Sequence, residues 1–452
     1  MSADDLDTLL EDAAARAARY LDELPRRAVA PSPAAVERLA ALDVPLPEGP
    51  GDARAMLAEL DEVVSPATMA TAGPRFFGFV IGGALPATLA ASVLAAAWDQ
   101  NSARSDVTPG TAAVEGVALR WVLEALRLPA GAAGGFVTGA TVANFTALAA
   151  ARHAALAAAG WDVEVRGLFG APELTVIVGD EAHVSVFKAL AMLGLGRERV
   201  VVVPVDAQGR MRADALPRLG PRTILCLQAG NVNTGAFDPA PELIPRAREA
   251  GAWVHVDGAF GLWARASPAL ASLAAGLEDA DSWATDAHKW LNVPYDSGLA
   301  LVRDGGALRA AMGMTAAYLP QGTRRDPADF TPELSRRARG VEVWAALRAL
   351  GRAGLAELVE RCCRHARRFA DGLRAAGHRV LNEVVLNQVL VSFGDAERTH
   401  RVIGAIQADG TCWCGPTVWQ GQTAMRISVS SWATSDEDVE RSLEAMRRAA
   451  AG

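Results

Sequence analysis

Six short apolar runs that give way to glycine, aspartate or histidine constrain this chain more than any other feature. They are TVIVGDEAH (175–183), VVVVPVD (200–206), TILCLQAG (223–230), WVHVDGAFG (253–261), SWATDAHKW (282–290) and GLALVRD (298–304). Helical patterns follow most of them. Continuous apolar strands alternating with helices imply a mostly parallel sheet covered on both faces. Ligands of such sheets sit beyond the carboxyl ends of the strands, where the polar residues of these runs gather. With 452 residues, 51% of them apolar and 21% charged, the chain can bury a large core and divide into two or three packed units.

On either side of this α/β block the texture differs. Apolar spacing predicts a helix over 4–24, a short one over 34–42 inside a proline-rich connector, and another over 52–64. PRFFGFVIGG (74–83) interrupts the pattern before two longer helices, about 85–100 and 111–127. A charged loop, 320–340, precedes a helical run over 341–374. VVLNQVLVSF (384–393) and AMRISVSSWATSDEDVERSLEAM (424–446) then read as a small α+β domain. The expected division is an N-terminal helical segment over 1–70, a large domain over 71–315, and a loop with a small C-terminal domain over 316–452.

The formal charge of −8 argues against a nucleic-acid binder, whose footprint would be basic, and favours a small-molecule partner. Five cysteines without framework spacing point to a reducing compartment rather than a disulfide scaffold. Cys412-Trp-Cys414 lacks a second Cys/His pair at zinc-finger spacing, and the histidines and aspartates lack an HxxxH pair, so no metal is expected. The acidic, amphipathic N-terminus is unlike a signal peptide, and no apolar run reaches the length of a membrane span. The expected location is cytoplasmic, with no membrane partner.

Of 44 basic residues only two are lysines, Lys188 and Lys289. Arginine supplies charge equally well but cannot readily lose its proton and attack a carbonyl. Lys289 lies between His288 and Trp290 at the end of an apolar run, and a lysine partly withdrawn from water becomes a nucleophilic amine. Lys188, in HVSVFKALAML, reads as a solvated helix face. Asp257 ends the strand WVHVD. Taken alone it is a helix cap; beside a Schiff-base lysine it suits the carboxylate that keeps a pyridoxal ring nitrogen protonated. GGFVTGATVANFTALAAAR (134–152) reads as a glycine-rich turn opening a helix, an anion site to which Thr141 adds a hydroxyl. His183 follows a strand, where a flat ring could stack on a flat cofactor. His255 lies inside its strand and reads as a core histidine.

Glycine-rich turn, histidine, aspartate and then His-Lys, in this order, resemble the group II pyridoxal-phosphate-dependent amino-acid decarboxylases. That family includes the aromatic-amino-acid and glutamate decarboxylases and has the aspartate-aminotransferase fold (fold type I). The resemblance covers roughly 70–450 and rests on AGNVNTGAFDP (229–239), HVDGAFG (255–261), DAHKW (286–290) and MRISVSS (425–431). It implies pyridoxal 5'-phosphate as cofactor, Lys289 as the aldimine lysine, Asp257 as the partner of the ring nitrogen, Ala259 beneath the ring and His183 stacked over it. Gly139, Ala140, Thr141 and His288 would surround the phosphate, and Asn231 would lie near the ring substituents. Phe77 and Phe79 would line the substrate pocket, and Arg426 would contact cofactor or substrate carboxylate. It also implies a homodimer with shared sites, formed in part by the N-terminal helices.

The implied reaction is decarboxylation of an L-amino acid to its amine. Phe76, Phe77, Phe79 and Val80 favour an aromatic or apolar side chain, because apolar walls reject charge; Arg104 would reverse that if it faced the pocket. The family commonly has a loop tyrosine for reprotonation, but 320–340 has none; Tyr318 precedes the loop and Phe330 lies within it. His183 or water would then supply the proton, or the product would be an aldehyde formed with oxygen. An aldolase or phosphate-substrate lyase on the same fold, and a silent cofactor-binding homologue, are the other readings these residues leave open.

Overall fold

The computed structural model describes residues 3–314 and 325–452. Tyr318 and the 320–324 part of the charged loop lie outside the described residues. The six apolar runs become β2 (Thr175–Gly179), β3 (Val201–Val203), β4 (Thr223–Gln228), β5 (Trp253–Asp257), β6 (Ser282–Asp286) and β7 (Gly298–Val302), and a seventh strand, β1 (Ala133–Val137), joins them. They pair in the order β1-β7-β6-β5-β4-β2-β3. Only β7 runs against its neighbours, β1 and β6; the other pairings are parallel. Every residue of β6 and β7 is buried, as expected of strands covered on both faces.

GGFV, expected as part of a turn, is most of β1. Its glycines allow the close approach that this edge requires. A Cβ on Gly134 would meet Leu301 at 2.6 Å, and one on Gly135 would meet the Phe330 carbonyl oxygen at 2.3 Å. The turn proper is confined to Thr138 and Gly139, and the helix Ala140–Ala157 begins immediately after and packs across β6 and β7. The helix expected over 52–64 is an α-helix only at Ala53–Glu59 and continues as a π-turn, Leu60–Val64. Pro66, which cannot donate a backbone hydrogen bond, follows in a 3₁₀ turn.

Register places the functional rim. Asp257 stands opposite Gln228 of β4 and Ala284 of β6, so the carboxyl ends of β4, β5 and β6 lie side by side, with Asp286 closing β6. The smaller sheet is antiparallel, ordered β10-β11-β9-β8, from β8 (Arg379–Val380), β9 (Gln388–Ser392), β10 (Gly415–Trp419) and β11 (Gln422–Ser428). The helix Gly340–Ala375, broken at Gly351 where φ is +60°, packs on both the helix Pro109–Ala125 and β9 and so spans the two units. Arg75, 2% exposed, ties the N-terminal segment to the C-terminal one. Its guanidinium donates to the carbonyls of Pro25 and Thr411 (2.7 Å each) and pairs with Asp438 at 3.0 Å.

Candidate active site

A cleft of about 220 Å³ opens at the carboxyl ends of β4 and β5 and brings together residues far apart in sequence: Phe79, Val80, His183, Gly230, Val232, Asp257, Ala259, Phe260, Lys289 and Arg426. Lys289 reaches it from the turn after β6. Trp290, fully buried and 6.2 Å from the Phe260 ring, anchors that turn, and Trp263 Nε1 donates to the Asp286 carbonyl at 2.9 Å. A buried tryptophan is worth about 3–5 kcal/mol against alanine, and breaking a buried ion pair costs about as much. Packing of Trp290 and the 2.9 Å contact of Lys289 with the buried Asp286 both hold the lysine in place. Gly82 completes the seat, since a Cβ there would fall 1.9 Å from the Lys289 carbonyl oxygen.

Asp257 accepts from the Ala259 amide at 3.2 Å and from Asn144 Nδ2 at 3.3 Å. Burial pushes its carboxyl above the ordinary range, opposed by His183 and Lys289. His183 caps the helix Val184–Met192. Its Nδ1 turns back to Ser185, 3.3 Å from the amide and 2.8 Å from Oγ, which leaves Nε2 as the nitrogen its own helix does not use. Burial lowers its pKa, as it does that of His288. His288 Nδ1 accepts from the Ser297 amide at 3.1 Å, and its ring stacks on Tyr295 at 4.2 Å.

Around the start of the helix Ala140–Ala157, Gly139 leaves a space that a Cβ would close, at 3.0 Å from His288 and 3.3 Å from Asp286. The Ala140 amide at the helix start is donated to Asp286 Oδ1 at 2.5 Å, and Thr141 is half-buried beside it. Helix-start donors, an imidazole and an amine beyond them form a cradle suited to a phosphate, with a carboxylate and a second imidazole placed for a flat ring. The residues present therefore fit pyridoxal phosphate.

Two expected site residues are placed elsewhere. Phe77 is 1% exposed and packs edge-on against Phe369, 5.0 Å away, in the main core. The cleft wall is Phe79 with Val80. Both have positive φ, 54° and 61°, a turn that carries Phe79 outward onto the Trp413 ring at 5.6 Å. Asn231 is 1% exposed and committed to its own turn and to Glu181, its Nδ2 donating at 2.9 Å; its neighbours Gly230 and Val232 line the cleft instead. Arg104 binds Asp106 through two contacts of 2.9 and 2.6 Å and is not among the cleft-lining residues. Phe330 lies against Arg325, 4.4 Å from its guanidinium, outside the cleft. Lys188 is exposed.

Three residues were not singled out in the sequence. Asp286 contacts Lys289 and accepts from the Ala140 amide at 2.5 Å; its signal was a strand-end carboxylate three positions before the lysine. Asn144 and Ser185 lie behind Asp257 and His183, within helices whose sequence gives no cue to them.

His255 is fully buried between Ser282 Oγ and Asn144 Oδ1, at 2.9 Å each. Burial pushes its pKa from 6.5 down to about 3. With the folded value below the unfolded one, the stability held by the neutral ring is complete above about pH 6.5 and is withdrawn as pH falls toward 3. Between pH 7 and pH 4 the native protein should lose about 3 kcal/mol more than His255→Gln in urea unfolding; equal losses would refute this.

Comparison with known proteins agrees with the geometry. Residues 35–394 match the pyridoxal-dependent decarboxylase conserved domain. The chain is 28% identical over 431 residues to tryptophan decarboxylase 1 of Oryza sativa subsp. japonica, covering 86% of this chain and 83% of that protein. It is 29% identical over 427 residues to L-2,4-diaminobutyrate decarboxylase of Rhizobium meliloti, covering 89% and 83%. The crystal structure of Oryza sativa TDC with PLP and tryptamine superposes with a TM-score of 0.91 at 23% identity, over 100% of this chain and 98% of that one, and so has the same fold. A fold type I sheet, a lysine, carboxylate and imidazole around one cleft, and a family match spanning most of the sequence have one reading: this chain belongs to the pyridoxal-dependent amino-acid decarboxylases.

Proposed function

We propose that the chain decarboxylates an L-amino acid with an aromatic or apolar side chain to its amine, acting as a homodimer. The observation that carries the substrate class is the cleft wall. Phe79, Val80, Val232 and Phe260 are apolar, and among the described residues no carboxylate other than Asp257 lines the space. Apolar walls desolvate a side-chain charge without returning a partner to it. Among the described residues Arg426 is the only arginine lining the cleft. Burial lowers its pKa, and its Nη1 donates to the Val232 carbonyl at 3.2 Å. It is suited to hold the substrate carboxylate.

Pyridoxal phosphate, when bound, supplies a ring that takes up the electron pair released as carbon dioxide leaves. Lys289 is the amine that would hold the cofactor and yield it to the substrate. Asp257 would balance the positive ring nitrogen, and Gly139, Ala140, Thr141 and His288 would surround the phosphate. His183, whose Nε2 its own helix does not use, would stack on the ring and return a proton to the α-carbon. The homodimer reading rests on the helix Pro86–Trp98, which has no charged residue yet exposes Val93 (63%), Leu94 (54%) and Trp98 (47%); an apolar face of this kind marks an interaction surface. Five buried, unpaired cysteines suit a reducing interior such as the cytoplasm.

Purified protein, sized by light scattering and loaded with pyridoxal phosphate, tests this reading with a panel of aromatic, aliphatic, acidic and basic L-amino acids. The expected results are a mass of twice 47.3 kDa, and carbon dioxide with equal amine, aromatic or aliphatic substrates exceeding acidic ones roughly hundredfold in kcat/KM. A preference for glutamate or aspartate overturns the substrate class. Aldehyde with ammonia and peroxide under air overturns the amine product, and a monomer overturns the dimer.

A further inference from the structure

Behind the cleft, one carboxamide touches both lines of residues that reach the cofactor position. Asn144 is fully buried, 3.3 Å from Asp257 Oδ2 and 3.3 Å from Ser185 Oγ through Nδ2, and 2.9 Å from His255 Nε2 through Oδ1. Two further contacts complete the chain. Ser282 Oγ lies 2.9 Å from His255 Nδ1 and accepts from Trp253 Nε1 at 2.9 Å.

Proton positions along this chain follow from what each end can do. The Trp253 indole nitrogen only donates, and an ionised Asp257 only accepts. An ionised Asp257 therefore requires the NH₂ of Asn144 to face it, which turns Oδ1 toward His255. Neutral His255 must then carry its proton on Nε2, and its bare Nδ1 takes the Ser282 hydroxyl proton, for which no other acceptor stands among the described residues. Every group is satisfied, and each hydrogen bond points toward the carboxylate. In the opposite arrangement His255 carries its proton on Nδ1, Asn144 turns over, and its carbonyl oxygen faces Asp257, which is tolerable only if Asp257 is protonated.

The second NH₂ proton of Asn144 goes to Ser185 Oγ, whose own proton is then available to His183 Nδ1. The Ser185 backbone N–H also points at that nitrogen and can only donate. Neutral His183 thus bears its proton on Nε2, toward the cleft.

We propose that Asn144 is a positioning residue that, with His255 behind it, holds Asp257 in its ionised form and, through Ser185, keeps the His183 proton on Nε2. The inference deepens the cofactor reading of this cleft and rests on it. Asn144 touches neither cofactor nor substrate itself. Its role is to make one proton arrangement of the two cofactor-facing residues the satisfied one.

Nitrogen NMR of the full chain labelled at histidine, with and without pyridoxal phosphate, tests the arrangement directly. In the cofactor-free native protein, His183 and His255 should both show a bare Nδ1 and a protonated Nε2. Asn144→Leu removes both the donor to Asp257 and the acceptor for His255 Nε2. It should lose the His255 tautomer and weaken pyridoxal phosphate binding about ten- to hundredfold in a titration of the bound cofactor's absorbance. Ser185→Ala should keep the His255 tautomer while partly releasing the His183 proton from Nε2, since only the 3.3 Å backbone N–H contact then remains. Nδ1 protonation in the native protein, or native affinity in Asn144→Leu, would overturn the proposal. Should the native protein bind the cofactor yet release no carbon dioxide, the decarboxylase reading would fall alone, because the nitrogen shifts and the binding titration do not depend on turnover.

Discussion

Lys289→Ala should lower kcat/KM for the best amino-acid substrate by on the order of 10⁴-fold or more and abolish the visible absorbance of the loaded protein, because no other amine among the described residues lines the cleft. Lys289→Arg sharpens the test. It keeps a positive charge beside Asp286, whose carboxylate lies 2.9 Å from the lysine amine, but a guanidinium stays protonated and cannot attack a carbonyl. If charge were the role of Lys289, arginine would rescue; if nucleophilicity is, arginine should be as inactive as alanine. Lys188→Ala, on the exposed face of the helix Val184–Met192, should remain within about twofold of the native rate, the usual scale of a surface substitution. Comparable absorbance in Lys289→Ala and the native protein would sink the assignment.

The second large effect is expected at Asp257. A buried charge that loses its partner costs about 3–5 kcal/mol, so Asp257→Asn should lower kcat/KM by roughly two to three and a half orders of magnitude, the cofactor's ring nitrogen being left without its counter-charge. Stability of the cofactor-free protein should move the other way. Burial raises the Asp257 carboxyl above its ordinary range, so ionising it costs the folded state. A raised carboxyl imposes that cost at neutral pH and not below the ordinary carboxylate range, where the group is protonated in both states. Asp257→Asn should therefore melt higher than the native protein at pH 7, and the gap should close by pH 4. A variant that is both inactive and less stable at pH 7 would mean that Asp257 is a structural residue. The opposition of activity and stability at one buried group is characteristic of a functional site.

Much of the site depended on chemistry that single residues carry. Lys289 stood out because 42 of the 44 basic residues are arginines and only a lysine can offer a nucleophilic amine. Asp257 and His183 were legible because continuous apolar strands announce a parallel sheet, and the residues that end such strands share one rim. The same logic located His255 inside its strand as a core histidine, and it is fully buried.

Other features depended on which way the chain turned. Phe77 and Phe79 sit two positions apart in one aromatic run, yet one packs on Phe369 and the other faces the cleft, because φ turns positive at Phe79 and Val80. No local pattern announces that turn in a phenylalanine and a valine, residues that rarely adopt it. Asn231 belongs to a recognisable segment, but its amide is taken by Glu181, 50 positions away.

What the sequence by itself determined, then, was the alternation that makes a covered parallel sheet and the few side chains whose chemistry has no substitute. Only the tertiary structure decided which neighbours set the charge and proton positions of those side chains. Asn144 meets Asp257 across 113 positions, and Asp286 meets the Ala140 amide across 146. Hydrogen bonds act over about 3 Å, so such partners exist only once the sheet has brought separate strands and helices to one rim.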